Sequence, residues 1–442
     1  MEMVLEFLRD VLSQPALLIG IMSCIGLIAL KRPFHKVMTG TLKPILGYLM
    51  LAAGAGVIVN NLDPLGKMIE HGFHITGVVP NNEAIVAVAQ KVLGVETMSI
   101  LVVGLLMNLC IARFTKFKYV FLTGHHSLFM ACLMSAVLGT AGLSGMELIL
   151  VGGFLMGAWS AISPAIGQSY TSKVTEGDEI AIGHFGSLGY YLSAWVAKYV
   201  GKADDSTEDI EIPEKWGFLR DSTLSTALTM IVFYLIAAFA AGSEFVATLS
   251  GDMSPYLYAV MSAMNFAVGV TIVYSGVRMI LGDLIPAFQG IATKIIPNAI
   301  PAVVLGFISS FIGGIIGMLI LGAVGGVLII PGLVPHFFCG ATAGIYGNAT
   351  GGRRGAAVGA FLNGLAITFL PALALPVLGQ LGFQNTTFGD ADFAVMGLVL
   401  GHAFEWIGMA GIYGIVAIAA LVLIIPNFIK TKGKVINYVE EE

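Results

Sequence analysis

Charge is scarce in this sequence. Asp, Glu, Lys and Arg make up 11% of its 442 residues, where a soluble domain carries about a quarter. Mean hydropathy is +0.89, and an ordinary soluble domain is excluded. Cysteine is scarce too. Cys24, Cys110, Cys132 and Cys339 each stand alone in an apolar run, with no CxxC pair and no histidine at ligand spacing, so they read as packing residues and not as a redox or metal site. There is no Ser-His-Asp set, no HExxH and no dinucleotide fingerprint. The glycine-rich stretch Gly347 to Arg354 lacks the GK[ST] ending of a phosphate loop and reads as a tight turn. No catalytic residue, cofactor, metal or nucleic-acid partner is assigned. The first fifteen residues mix acids with bases and offer no small-residue cleavage site, so no removable signal peptide is expected. The alternating pattern of membrane barrels is missing as well.

What remains is long apolar runs, roughly 16 to 28 residues each, enough for helices to cross a hydrocarbon core of about 30 Å. The sequence therefore predicts an all-α polytopic membrane protein. Lys31, Arg32, Lys36 and Lys43 follow the first run, Arg113, Lys116 and Lys118 end the run from Thr97, and Lys430, Lys432 and Lys434 close the chain. Basic loops face the cytoplasm, which places the N-terminus outside and the C-terminus inside. Asn60 to Phe73 contains Pro64 and is amphipathic, predicting an interfacial helix after a span over Leu42 to Val59. Ala84 to Val92 is too short to span, and Ile180 to Val200 has basic flanks and a glycine-broken centre. Both are expected to be re-entrant hairpins, tolerable where they line protein or water. A break is also expected near Gly401 and His402, and the polar stretch Phe383 to Asp392 is expected as an external loop.

Two halves are legible. Gly54, Ile58, Asn61, Leu62, Pro64 and Ile69 align at one constant offset with Gly276, Ile280, Asp283, Leu284, Pro286 and Ile291, and Leu122 to His125 echoes Leu333 to His336. Spans paired in this way begin and end at opposite basic loops, the mark of two inverted-topology repeats. The expected division is 1–75 and 222–297 as scaffold, 76–200 and 298–428 as core, 201–221 as an acidic cytoplasmic loop and 429–442 as a tail. The offset changes abruptly at Ala302 and Val303, which predicts either an omitted loop or a true deletion there.

Polar groups at membrane depth are costly and mark sites. His125 and His184 each follow glycine in a broken apolar run, so they are expected to face a midplane site. His126 and His402 read as helix-to-helix bridges. Asn82 and Glu83 fit a site residue and a solvated loop residue equally, while Asp63 and Asp283 read as interfacial.

The segments LTGHHSLFMACLMSAVLGTAGLSG, GDEIAIGHFGSLGYYLSAWVAKYVGK, STEDIEIPEKWGFLRDSTLSTALTM, GVRMILGDLIPAFQGIA and VPHFFCGATAGIYGNATGGRRGA resemble the membrane permease (enzyme IIC) of the bacterial phosphotransferase system, ascorbate type, in its Gram-positive form. The resemblance covers essentially the whole chain. It implies a homodimer in the bacterial cytoplasmic membrane, with a dimerising scaffold of V-shaped helices and a mobile core that moves as an elevator. It also implies L-ascorbate, or a similar polyhydroxylated substrate, carried inward for phosphorylation by a IIB phosphocysteine that IIA recharges. Where the characterised permeases have GHxxxQ and GHQ, this chain has Gly124-His125-His126-Ser127-Leu128-Phe129 and Gly183-His184-Phe185, and a Thr-Tyr pair corresponds to Asn82 and Glu83. The substrate is thus expected at Asn82, Glu83, His125, Phe129, His184 and Phe185. The family's aspartate-bearing segment after the PNA motif is absent here. The alternatives are an ion-coupled secondary transporter of a small polar metabolite, or a IIC for another polyol.

Overall fold

The computed structural model describes the chain apart from residues 1–10, 12–13, 30, 75–76, 79, 81, 122, 179, 210–221, 285–299, 380–386 and 429–442. The described residues form thirteen α-helices: α1 (Pro15–Ala29), α2 (Phe34–Phe73), α3 (Asn82–Phe114), α4 (Gly124–Thr140), α5 (Gly145–Thr175), α6 (Ser187–Val200), α7 (Ser222–Ala241), α8 (Ser243–Ser250), α9 (Pro255–Leu284), α10 (Ile300–Ala323), α11 (Leu333–Gly379), α12 (Ala391–Ile407) and α13 (Met409–Phe428). Among these residues, β pairing is confined to one parallel bridge between Val78 and Ile329. Six helices are long and apolar enough to cross a membrane, and α7 with α8, bent by 117°, makes a seventh if counted as one span. The all-α polytopic class is what the structure shows.

Two main apolar cores organise the bundle. One joins α2, α7, α9 and α10 through Ile58, Leu62, Leu65, Met68, Tyr234, Phe266 and Phe307. The other joins α3, α4, α5 and α12 through Ile100, Met130, Met134, Met156, Phe393 and Leu400. Without water, helices associate by close packing of small residues, and α10 meets α11 in that way. A side chain at Gly313 or Gly364 would overlap the carbonyl of Phe361 or Ser310 respectively.

Several boundaries differ from those the sequence suggests. The span ending at Val59 and the interfacial helix from Asn60 are one helix, α2, which passes through Pro64 without ending. The buried stripe Ile58, Leu62, Leu65, Met68 keeps helical spacing across the proline, so packing outweighs the single lost backbone hydrogen bond. Ala84 to Val92 likewise fuses with the following span in α3, a stretch that contains no proline. The break expected at Gly401 falls at Gly408, whose φ of 63° ends α12. Across Ala302 and Val303, α10 is continuous, so no omitted loop interrupts the chain at that point; residues 285–299 lie outside the described residues. In place of the expected bridge between helices, His402 pairs with Glu405 at 3.0 Å on its own helix and stacks on Trp406.

The glycine-rich turn is present. Helical geometry in α11 fails at Gly351 and Gly352, and Gly352 has φ 60° and ψ −152°. A loop clasps this kink: the Arg353 N–H donates to the Asp205 carbonyl at 2.7 Å, its Nε to the Ser206 carbonyl at 2.9 Å, and Asn348 Oδ1 accepts the Thr207 N–H at 2.9 Å. A side chain at Gly352 would meet both an unfavourable φ and the carbonyls of Lys202 and Asp205. Gly352→Val should therefore lower stability by about 2 kcal/mol or more. Gly66→Ala, in open helical surroundings on α2, should be neutral or stabilising by up to about 1 kcal/mol. Thermal unfolding in one mild detergent checks both.

Candidate functional site

Five helices, α3, α4, α6, α11 and α12, begin close together. The segments leading into them touch. Thr123 Oγ1 donates to the Gly183 carbonyl, the Val78 N–H donates to the Leu328 carbonyl at 2.8 Å and the Ile330 N–H to the Val78 carbonyl at 2.9 Å. Gly389 faces Pro335 and Pro80 so closely that a side chain there would collide with Pro335. The first four N–H groups of a helix have no partner within it, and its start carries partial positive charge. This meeting of helix starts is therefore rich in donors.

Two buried carboxylates answer that demand. Asp392 is fully buried and accepts from the Leu188 N–H at 2.9 Å, Ser187 Oγ at 2.9 Å and Trp159 Nε1 at 3.3 Å. Its own N–H donates to the Phe185 carbonyl at 2.9 Å. It thus caps α6 from α12. Asp390, also buried, accepts from Asn82 Nδ2 at 2.6 Å and Cys339 Sγ at 2.9 Å, while Asn82 Oδ1 accepts the Gly389 N–H at 2.9 Å. The expected external loop is consequently not solvated at this end: Thr387 to Asp392 are buried, because the start of α12 needs them inside.

Two imidazoles complete the arrangement. His126 and His184 lie with ring centroids 3.8 Å apart. The Phe185 N–H donates to His126 Nδ1 at 3.3 Å, and the Gly186 N–H to His184 Nδ1 at 3.0 Å. A backbone N–H can only donate, so both Nδ1 atoms are acceptors and each neutral ring carries its proton on Nε2. His184 is half-buried and directs a second donor from that position.

The family model described as "PTS system sugar-specific permease component" matches residues 10–392. The chain belongs to this family. Among curated proteins, the ascorbate-specific PTS system EIIC component of Mycoplasma pneumoniae is 28% identical over 417 residues, covering 78% of this chain and 62% of that protein. The chain thus spans less than two thirds of that relative's length.

The permease brings some of the expected residues together. Asn82 and His184 stand at the meeting of helix starts, and Phe129 lies 6.0 Å from the His126 ring. Phe185 is fully buried and stacked on Phe121 at 4.4 Å, so its side chain packs while its backbone serves the site. Glu83 and His125 lie in the first turns of α3 and α4, and their side chains are outside the described residues. His336, which the sequence pairs with His125, is buried and bonded to Ser310 Oγ at 3.0 Å, bridging α11 to α10.

Sequence reasoning missed Asp390, Asp392, Tyr190 and Cys339. The signal was available in Gly389-Asp390-Ala391-Asp392, two acids at the threshold of an apolar helix, where a carboxylate caps or serves a site. Among the described residues no group of His, Cys, Asp or Glu is placed to hold a metal ion. Replacing Asp392 by Ala strands three buried donors, so the variant should lose about 2 to 5 kcal/mol, whereas Asp392→Asn, which keeps one acceptor oxygen, should lose less. Thermal unfolding with tryptophan emission from Trp159 as a local probe measures both.

Proposed function

We propose that the protein is the IIC subunit that carries L-ascorbate inward for phosphorylation by a IIB phosphocysteine recharged by IIA. The observation that carries this reading is the pair of neutral imidazoles, His126 and His184, set among five helix starts. Ascorbate is a polyhydroxylated, acidic lactone. Helix starts favour its negative charge, and an imidazole N–H suits its ring and hydroxyl oxygens. The ascorbate specificity of the Mycoplasma relative supports the same substrate. The chain holds no nucleophile and base set, so phosphoryl transfer belongs to the partner; this chain binds, orients and moves the substrate.

The motion fits an elevator. Two apolar cores, one around α2, α7, α9 and α10 and one around α3, α4, α5 and α12, supply a scaffold and a mobile body, and the constant offset between Gly54 to Ile69 and Gly276 to Ile291 supports an inverted repeat in a cytoplasmic-membrane protein with its C-terminus inside. The buried carboxylates Asp390 and Asp392 favour a second reading, an ion-coupled transporter that uses them as relays.

Inverted vesicles separate the two. Phosphoryl transfer to L-ascorbate that requires purified IIA and IIB is expected; accumulation driven by a proton gradient without them would establish the second reading. In binding measurements His184→Ala should weaken L-ascorbate by about 1 to 3 kcal/mol, the worth of a buried hydrogen bond, and unchanged affinity would move the site elsewhere. The protein should also be a C2 homodimer packed through scaffold helices, and a monomer by crosslinking and mass measurement, both in mild detergent and in lipid, would exclude that arrangement.

A further inference from the structure

Behind the helix starts, buried polar groups stand next to both proposed contact residues, Asn82 and His184. Asn82 Nδ2 donates to Asp390 Oδ2 at 2.6 Å, and Cys339 Sγ donates to Asp390 Oδ1 at 2.9 Å. Tyr190 Oη stands 3.6 Å from Cys339 Sγ and 2.9 Å from His184 Nδ1. Tyr190 and Cys339 are each 1% exposed and Asp390 is 5% exposed. These groups do not reach solvent, and each is held by its neighbours.

The direction of the bonds follows from the chemistry. The Gly186 N–H makes His184 Nδ1 an acceptor, so the Tyr190 hydroxyl toward Nδ1 can only donate. The carboxylate of Asp390 can only accept, which makes Asn82 and Cys339 the donors there. Tyr190 adds a second donor at Nδ1, so the alternative tautomer, with its proton on Nδ1, would face two hydrogens at once. Nε2–H is thereby fixed as the outward group. The ring plane is fixed as well, since an imidazole held at Nδ1 from both Gly186 and Tyr190 cannot rotate about its own axis without breaking one bond.

We propose that Tyr190 is a positioning residue for substrate binding: its hydroxyl, donating to His184 Nδ1, sets the orientation of His184 before α6. The inference rests on the reading that His184 contacts the substrate. It goes further in assigning a role to a residue that need never touch the substrate. Groups joined in one buried network act non-additively, and that is its signature.

The test uses full-length protein in lipid nanodiscs, with L-ascorbate as the binding probe. Tyr190→Phe should raise Kd by about 5- to 20-fold, the loss of a hydrogen bond worth about 1 to 2 kcal/mol, with an unfolding temperature near that of the wild type. In a His184→Gln background the same substitution should add nothing. A Tyr190→Phe effect that multiplies fully with His184→Gln, or no effect of Tyr190→Phe while His184→Gln weakens binding, overturns the proposal. If His184→Gln leaves binding intact, or the wild type ignores L-ascorbate, the substrate reading falls, and the nitrogen-15 spectrum of histidine-labelled protein still decides the positioning role. The His184 signals, assigned by their loss in His184→Gln, should report the Nε2–H tautomer in both proteins, because the Gly186 N–H remains, with the Nδ1 resonance displaced in Tyr190→Phe by the loss of one donor; an unchanged Nδ1 resonance overturns the proposal.

Discussion

A backbone N–H inside a membrane has no water to bond, and a helix that starts there leaves four of them bare. The structure around α3, α4, α6, α11 and α12 depends on meeting that debt at five helix starts in one place. Asp392 serves Leu188, His126 serves Phe185, His184 serves Gly186, Asn82 serves Gly389, and the Thr123 carbonyl serves Ser127. Asn82, His126 and Asp392 are each an acceptor for another segment's backbone, and His184 for its own two residues on. The two extended segments joined at Val78 and Ile329 solve the same problem by pairing with one another. A site composed in this way is already organised before any ligand arrives, because its side chains are fixed by bonds that the fold requires.

That double duty explains what the sequence could and could not disclose. Helix class, the glycine turn at Gly351 and Gly352, and the start of α6 after Gly186 were legible, since composition and glycine placement act locally. The continuity of α2 through Pro64 was not, because it depends on Leu65 and Met68 packing against α7 and α9, partners distant in sequence. His184 was legible as a polar group after a glycine in a broken run. Of the two adjacent histidines, the sequence favoured His125 for the site and His126 for a bridge, and the structure sets His126 against His184, 3.8 Å between rings. The phase of α4, fixed by what Met130, Met134 and Leu138 bury, turns His126 toward His184. Asp390 and Asp392 read as loop acids because a polar stretch before a helix is ordinarily solvated; their burial follows from the capping of α6, which lies about 200 residues earlier in the chain.

The remaining hydrogen-bonding capacity of the site can be counted, and the count constrains what fits. Asn82 has one N–H on Asp390 and its carbonyl on Gly389, which fixes the orientation of the amide and leaves one N–H and one lone pair. His184 has its Nε2–H. Asp392 already holds three donors and Asp390 two, so neither carboxylate presents a bare charge. What the site presents on this count is the Nε2–H of His184, one Asn82 N–H and acceptor capacity on Asn82 and the two carboxylates. A hydroxyl-bearing molecule, which both accepts and donates, complements this mixture, whereas a group with donors alone would leave the Nε2–H of His184 facing another hydrogen.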